Sequence, residues 1–275
     1  MGKHKGIVEK IINKIMWLAA AFIIFILGYL LYNSFREKSD FMTNTLGLPK
    51  GFTVQNYIKL FVNDHFEKYF LNSVIILAFS VVLLVFLASF VAYGLGRYTF
   101  RGNRFLRVFF LIGMMFPVQL GIVPIFLLIK NVGLMDSYTS VVLILGTAIS
   151  MPVLMLTEFF SKLPDELYEA ATLDGAGELT IFLRIMFPMA KPVVFSVCII
   201  SSVNIWNQFF IPLIFLQTDT KKTVPLLVVK YTNNLFNNMD SALAASVLAT
   251  IPILILFVIF SRKVLSGFMN GAVKG

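Results

Sequence analysis

Apolar and polar positions along this chain fall into long blocks and do not alternate residue by residue. Six apolar runs, at 15–32, 70–93, 105–129, 141–160, 193–216 and 242–260, are each near the twenty or so residues that a helix needs to cross a hydrocarbon core. The pattern predicts an all-α, polytopic membrane protein with six transmembrane helices. Polar segments separate the runs, and one of them, 163–188, is far richer in local signals than the rest.

Composition sharpens this reading. Of 275 residues, 58% are hydrophobic and only 13% charged, against about 25% charged in ordinary soluble domains. No soluble fold hides that much apolar surface, so the net charge of +9 is read by position and not as a nucleic-acid footprint. Short loops decide orientation through their basic residues. Arg97, Arg101, Arg104 and Arg107 follow the second run, whereas the next link carries only Lys130. Lys3, Lys5, Lys10 and Lys14 precede the first run, and Arg262, Lys263 and Lys274 follow the last. With six spans both termini then face the cytoplasm. The segments are a cytoplasmic N-terminus at 1–14, a first span at 15–32, an extracytoplasmic loop at 33–69, a core at 70–260 and a cytoplasmic tail at 261–275. The first run is too long for a signal-peptide core and no small-residue cleavage site follows it, so it is expected to stay as a span.

Chemistry-bearing residues are sparse. The single cysteine, Cys198, lies inside an apolar run, which excludes an intrachain disulfide. His4 and His65 fall on opposite sides of this topology and cannot form a catalytic or metal pair. Glu158 is placed at the inner end of the fourth span. No enzyme site, bound cofactor or metal site is expected. Pro117, Pro124 and Pro152 lie within the third and fourth runs and predict kinks, which are tolerated where neighbours resupply hydrogen-bond partners. The loop at 33–69 mixes Gly47, Pro49 and Gly51 with Phe52, Tyr57, Leu60 and Phe61, which fits either a small folded patch or a partner contact.

Segment 163–188 reads as helix, glycine turn, helix. Pro164 suits a first helical position, and Asp165, Glu166 and Glu169 put negative charge at the positive end of the helix. Leu163, Leu167, Ala170, Ala171 and Asp174 recur at three- and four-residue steps, and Ala170 and Ala171 leave little bulk. Gly175 and Gly177 break the helix, Phe182, Ile185 and Met186 line a second one, Pro188 is expected to end it and Pro192 to begin the next span. Such a segment, with Phe182 as an aromatic knob, would fit a cleft on a soluble partner.

The spacing Glu169-Ala170-Ala171, Asp174-Gly175-Ala176, Phe182, Ile185, Pro188 resembles the cytoplasmic signature of the permease subunits of ATP-binding-cassette importers. Asn56-Tyr57, Asn72-Ser73, Tyr93 with Gly96-Arg97, Trp206-Asn207 and the ending Gly271-Ala272-Val273-Lys274-Gly275 are similar to the carbohydrate branch, and to the shorter permease of maltose-type importers in particular. That resemblance implies a type I importer permease architecture in a bacterial or archaeal cytoplasmic membrane. It further implies a heterodimer with a second permease, two ATPase subunits that hold ATP and magnesium, an extracytoplasmic sugar-binding protein, and membrane lipid as partners. By the same resemblance Glu166, Glu169, Ala170, Ala171, Asp174, Gly175, Ala176 and Phe182 form the coupling segment on the ATPase. No phosphate-cradling Gly-x-x-x-x-Gly-Lys-Ser/Thr loop occurs in the chain.

For the solute path, Ser201, Asn204 and Gln208 fall within about 60° on one helix face, with Asn207 one step off. Neutral amides and hydroxyls suit uncharged sugars, but small polar residues also hydrogen-bond between helices. Trp206 and Phe209 are candidates to stack on sugar rings; Gln119, Thr147 and Ser150 are further path candidates. Three alternatives remain at this level: an importer for a polyol or glycerol phosphate ester, a secondary transporter or channel without an ATPase, and a structural or interaction membrane protein.

Overall fold

The computed structural model describes residues 2–45, 47, 51–233 and 235–272; the side chains of 2–8, 235–237 and 261–272 lie outside the described set. Among the described residues every regular element is helical. The helices are α1 (Gly2–Ser34), α2 (Lys38–Thr43), α3 (Gln55–Val62), α4 (Phe66–Arg97), α5 (Asn103–Met115), α6 (Ile122–Asn131), α7 (Tyr138–Gly146), α8 (Ser150–Phe160), α9 (Asp165–Leu173), α10 (Glu178–Ile181), α11 (Phe187–Met189), α12 (Lys191–Trp206), α13 (Phe210–Phe215), α14 (Val224–Thr232) and α15 (Leu235–Ala272). Three segments, Glu9–Ser34, Phe66–Arg97 and Asn238–Phe260, are long and apolar enough to cross a membrane as single helices. Three bent pairs raise the number to six when each pair counts as one crossing.

Bends fall in the third and fourth runs, where prolines predict kinks. The run at 105–129 is two helices, α5 and α6, set at 94°. The break falls at Phe116, whose extended backbone (ψ 117°) is what the ring of Pro117 imposes on the residue before it. Pro124 sits in the first turn of α6, where no intrahelical donor is needed, and bends nothing further. The fourth run bends by 43° between α7 and α8. Pro152 again lies in a first turn, so the bend comes before it, at residues 147–149. The fifth run stops at Trp206 and resumes as α13. Pro212 cannot donate to the carbonyl of Gln208, and the Gln208 side chain instead accepts from the N–H of Phe210 at 3.2 Å.

The chain divides into two compact units, Met1–Glu67 with Leu227–Ile251, and Lys68–Leu226 with Pro252–Gly275. In the first, the segment after α1 is a folded patch built around Arg36, which is 1% exposed. Its guanidinium donates to Asp40 Oδ2 (2.9 Å), Asn33 Oδ1 (3.1 Å) and the carbonyls of Asp40, Asn44 and Gly47. A buried charge this fully paired avoids the penalty of an isolated one. Lys59 pairs with Asp240, and Lys230 with Asp64. The folded-patch reading of 33–69 holds for its described residues.

In the second unit α8 packs on α5 and α12. One apolar core gathers Leu84, Ala88, Tyr93, Val153, Leu156, Phe160, Ala190 and Val197; another gathers Ile76, Ile129, Val141, Leu145, Ile211 and Phe215. Gly96 permits the close approach of α4 to the end of α8, since a Cβ there would lie 2.7 Å from Phe160 Cβ and 2.9 Å from the Thr157 carbonyl. At the far end, Asp136 accepts from Thr218 Oγ1 (2.6 Å), Lys221 Nζ (2.9 Å) and the N–H of Gln217. The Thr218 hydroxyl and then Lys221 hold its carboxyl well below the usual range. The same layer includes Asn72, which donates to the carbonyls of Thr220 and Lys222.

Candidate functional site: an outward acidic helix and a polar-lined cavity

Residues 163–188 fold as the helix–turn–helix that their pattern predicts. Pro164 takes the cap position just before α9. At the other end the N–H of Ala176 donates to Ala171 O and that of Gly175 to Thr172 O, both at 3.0 Å, with Gly175 at φ +78°. This is the Schellman closure, which needs a left-handed residue in the position Gly175 fills. The second helix, α10, widens into a π turn at Phe182–Met186 and runs through Pro188 into α11. Pro188 therefore does not end it. The missing N–H of Pro188 is accommodated by the wide turn, and the chain turns instead at Ala190, where the following helix departs at 74°.

The segment divides its residues cleanly. Ala171 is buried, and with it Ile181, Phe182 and Met186 enter the core around Tyr93 and Phe160. Phe182 is 3% exposed, its ring 4.6 Å from that of Phe90 and 5.0 Å from that of Tyr93. The expectation of an outward aromatic knob is thus corrected. An aromatic ring beside a core already rich in aromatics is better buried within its own chain. Glu166, Glu169, Ala170, Asp174 and Gly175 are exposed and Ala176 is half-buried. On α9, Glu166, Glu169 and Leu173 share a face centred about 200° from Ala171, and Leu173 is 89% exposed. Leu173 was missed from the sequence, as were the exposed Leu179 and Leu183. The available signal was the helical angle between Leu173 and the neighbouring Ala171.

A polar network ties this segment to the end of α4. Arg97 pairs with Asp165 and lies 4.2 Å over the ring of Tyr168. Tyr168 and Tyr98 both donate their hydroxyls to the carboxylate of Glu178. The two phenols, Tyr168 first, hold the Glu178 carboxyl below its ordinary value of 4.5. A depressed carboxylate stabilises the fold fully above the ordinary value and loses that contribution as pH falls through the folded one. The protection of amides 165–173, taken against their intrinsic exchange rates at each pH, is accordingly expected to be high near neutrality and to fall in acid. Glu178→Gln should lower that protection at pH 7 and abolish its acid dependence. Unchanged exchange in that variant would contradict the tie.

The polar stripe on α12 meets a cavity of about 150 Å³. Ser201, Asn204 and Gln208 line it together with Ala148, Met151 and Pro152 from the fourth run. A second cavity of about 720 Å³ is lined by Thr147 and Ser150 with Gly113, Phe116 and Pro117, and shares Ala148 and Met151 with the first. Asn207 and Gln119 line neither, and the Asn207 amide donates to Val203 O at 2.9 Å. Trp206 is 4% exposed and packs edge-on against Phe70, so it is not placed to stack on a solute; Phe209 is exposed. No residue lining either cavity is charged.

Residues 85–267 match the family described as the binding-protein-dependent transport system inner membrane component. The chain is 32% identical over 250 residues to the diacetylchitobiose uptake system permease protein of Streptomyces coelicolor, covering 90% of this chain and 82% of that one. It is 34% identical over 275 residues to the arabinooligosaccharides transport system permease protein of Halalkalibacterium halodurans, covering 96% and 98%. A bacterial ABC transporter crystal structure, from a system importing the acidic polysaccharide alginate, superposes with a TM-score of 0.76 at 22% identity, over 94% of this chain and 95% of that one. With more than half its length inside the matched region and relatives above 30% identity over nearly all of it, this multi-pass membrane chain belongs to the binding-protein-dependent transport system inner membrane component family.

Proposed function

We propose that the chain is one permease subunit of an ATP-driven importer for uncharged oligosaccharides in a bacterial or archaeal cytoplasmic membrane. The observation that carries this reading is the pairing of two features in one unit. An exposed acidic face, Glu166, Glu169 and Asp174 around Leu173, is tied through Arg97 and Glu178 to α4, while α12, leaving the same segment, lines an uncharged cavity with Ser201 and Asn204, joined by Gln208 just beyond its end. Carboxylates around an exposed leucine suit a basic cleft with an apolar floor on a partner ATPase.

In this reading both termini are cytoplasmic, and a second, different permease completes the pore. Two ATPase subunits hold ATP and magnesium, and an extracytoplasmic binding protein delivers the sugar. Closure of the ATPases moves segment 163–188, and the network at Arg97, Tyr98, Tyr168 and Glu178 passes that motion to α4. Two-state coupling of this kind needs a rigid connection between the site that is driven and the path that opens. The relatives named for diacetylchitobiose and arabinooligosaccharides support a neutral oligosaccharide. A phosphate ester would call for basic groups at the cavity, and its lining has none.

Glu169→Lys tests the reading. It reverses charge on the outward face without touching a buried residue, so uptake by the assembled complex is expected to fall at least tenfold. ATPase subunits should co-purify with the parent chain and less with the variant. Unchanged uptake, with no ATPase retained by the parent chain in mild detergent, would sink the importer reading and favour a secondary transporter.

A further inference from the structure

Helix α3 carries its apolar residues on the wrong side for a folded loop. Its inward face presents Asn56 and Leu60, 2% and 0% exposed. Outward lie Val54, Ile58, Phe61 and Val62, which fall within about 100° of one another on the helix and are 57%, 44%, 45% and 65% exposed. Phe52, 71% exposed, extends the patch. Gln55, Lys59 and Asn63, all exposed, run along one edge of it. Four apolar side chains on one face with a polar border form an amphipathic helix whose apolar side stays largely exposed among the described residues of its own unit.

The position of α3 says what covers it. Asn56 Nδ2 donates to the carbonyls of Ser34 (2.8 Å) and Arg36 (2.9 Å), and the Tyr57 hydroxyl meets Ser34 Oγ at 2.6 Å. Ser34 is the last residue of the 26-residue candidate span Glu9–Ser34. Four residues beyond Val62, Phe66 opens the next candidate span, and its ring packs against Phe61 with centroids 5.4 Å apart. The helix is thus pinned to the ends of two candidate spans. The exposed apolar surface of the first span, with Phe25 at 66% and Leu31 at 49%, leads up to one of those ends.

We infer that α3 is an interfacial anchor, with Val54, Ile58, Phe61 and Val62 seated at the headgroup–acyl boundary of the bilayer. Lys59 borders the apolar face, and its ammonium is held by Asp240 Oδ2 at 2.9 Å. An amphipathic helix lying in the interface buries its apolar face a few ångströms below the headgroups while its polar border stays wet. The anchor sets the depth of the Arg36-centred patch, and it stands independently of the sugar and of the ATPase.

The test uses the full-length chain in vesicles of phosphatidylethanolamine and phosphatidylglycerol. In a Cys198→Ala background, which removes the single native thiol, Ile58→Cys, Val62→Cys and Gln55→Cys variants are each labelled with an environment-sensitive fluorophore. Blue-shifted emission and loss of most of the signal to bromine on the acyl chains are expected at positions 58 and 62, with little of either at 55. For the unsubstituted chain, a photoreactive probe on the acyl chain should label residues within 52–62. Water-like emission at 58 and 62 together with no lipid photolabelling overturns the proposal. So does shielding that appears only when a binding protein or a second permease is added, which would make this face a protein-docking surface.

Discussion

Phe182→Ala is expected to loosen segment 163–188 from its own core and to abolish transport. Removing a buried aromatic ring typically costs about 3–5 kcal/mol, and Phe182 touches Phe90, Tyr93, Phe160 and Phe187. Spread over a local opening equilibrium, a loss of that size is a change of more than a hundredfold. Limited proteolysis should therefore cut the variant within 163–188 at protease levels that leave the parent chain whole, while the spans remain intact. The contrast with a partner contact is sharp. A side chain that only filled a cleft on the ATPase would leave protease resistance unchanged and weaken ATPase retention alone. That second pattern would contradict the role as an internal anchor.

Gly175→Val should separate hydrolysis from transport. A Cβ at this position meets nothing within 4 Å, so bulk is no obstacle and the penalty is conformational. A non-glycine residue in the left-handed region costs roughly 1–2 kcal/mol, more for a β-branched one, and the backbone at φ +78° is what brings the N–H of Ala176 to Ala171 O. Unwinding that closure would shift Asp174 and Leu173 out of the outward face. Uptake by the assembled complex is expected to fall about tenfold, the ratio that 1.4 kcal/mol represents, while ATP hydrolysis persists. Gly175→Asn should retain most transport, because asparagine enters the left-handed region most readily among the other residues. Equal loss in both variants would show that the position matters for something other than its backbone conformation.

Much of this was readable before any coordinates. Runs of twenty apolar residues can only be satisfied by helices in lipid, because every backbone polar group must find its partner within the segment. Glycine and proline placed the turn at Gly175 and the break before Pro117, since both act through local backbone geometry. Ser201 and Asn204 share a face by helical spacing, whereas Gln208 lies beyond the end of α12 and lines the same cavity from the break that follows it. The reach of local rules ended where neighbours intervened. Phe182 and Leu173 lie nine residues apart in one segment and both are apolar, yet one is buried and the other is exposed. Trp206 and Asn207 are adjacent, and the first is sealed against Phe70 while the second turns to its own helix.

The sequence alone determined the helical class, the membrane-length apolar runs and the distinct character of segment 163–188. Those follow from hydrocarbon thickness, backbone hydrogen bonding and a motif confined to twenty-six residues. Only the tertiary structure decided which side of each helix is covered, how far each proline bends the chain, and that Arg97, Tyr98, Tyr168 and Glu178 join across up to eighty positions of sequence. Burial and charge pairing depend on which elements meet. Local pattern limits that choice, and packing makes it.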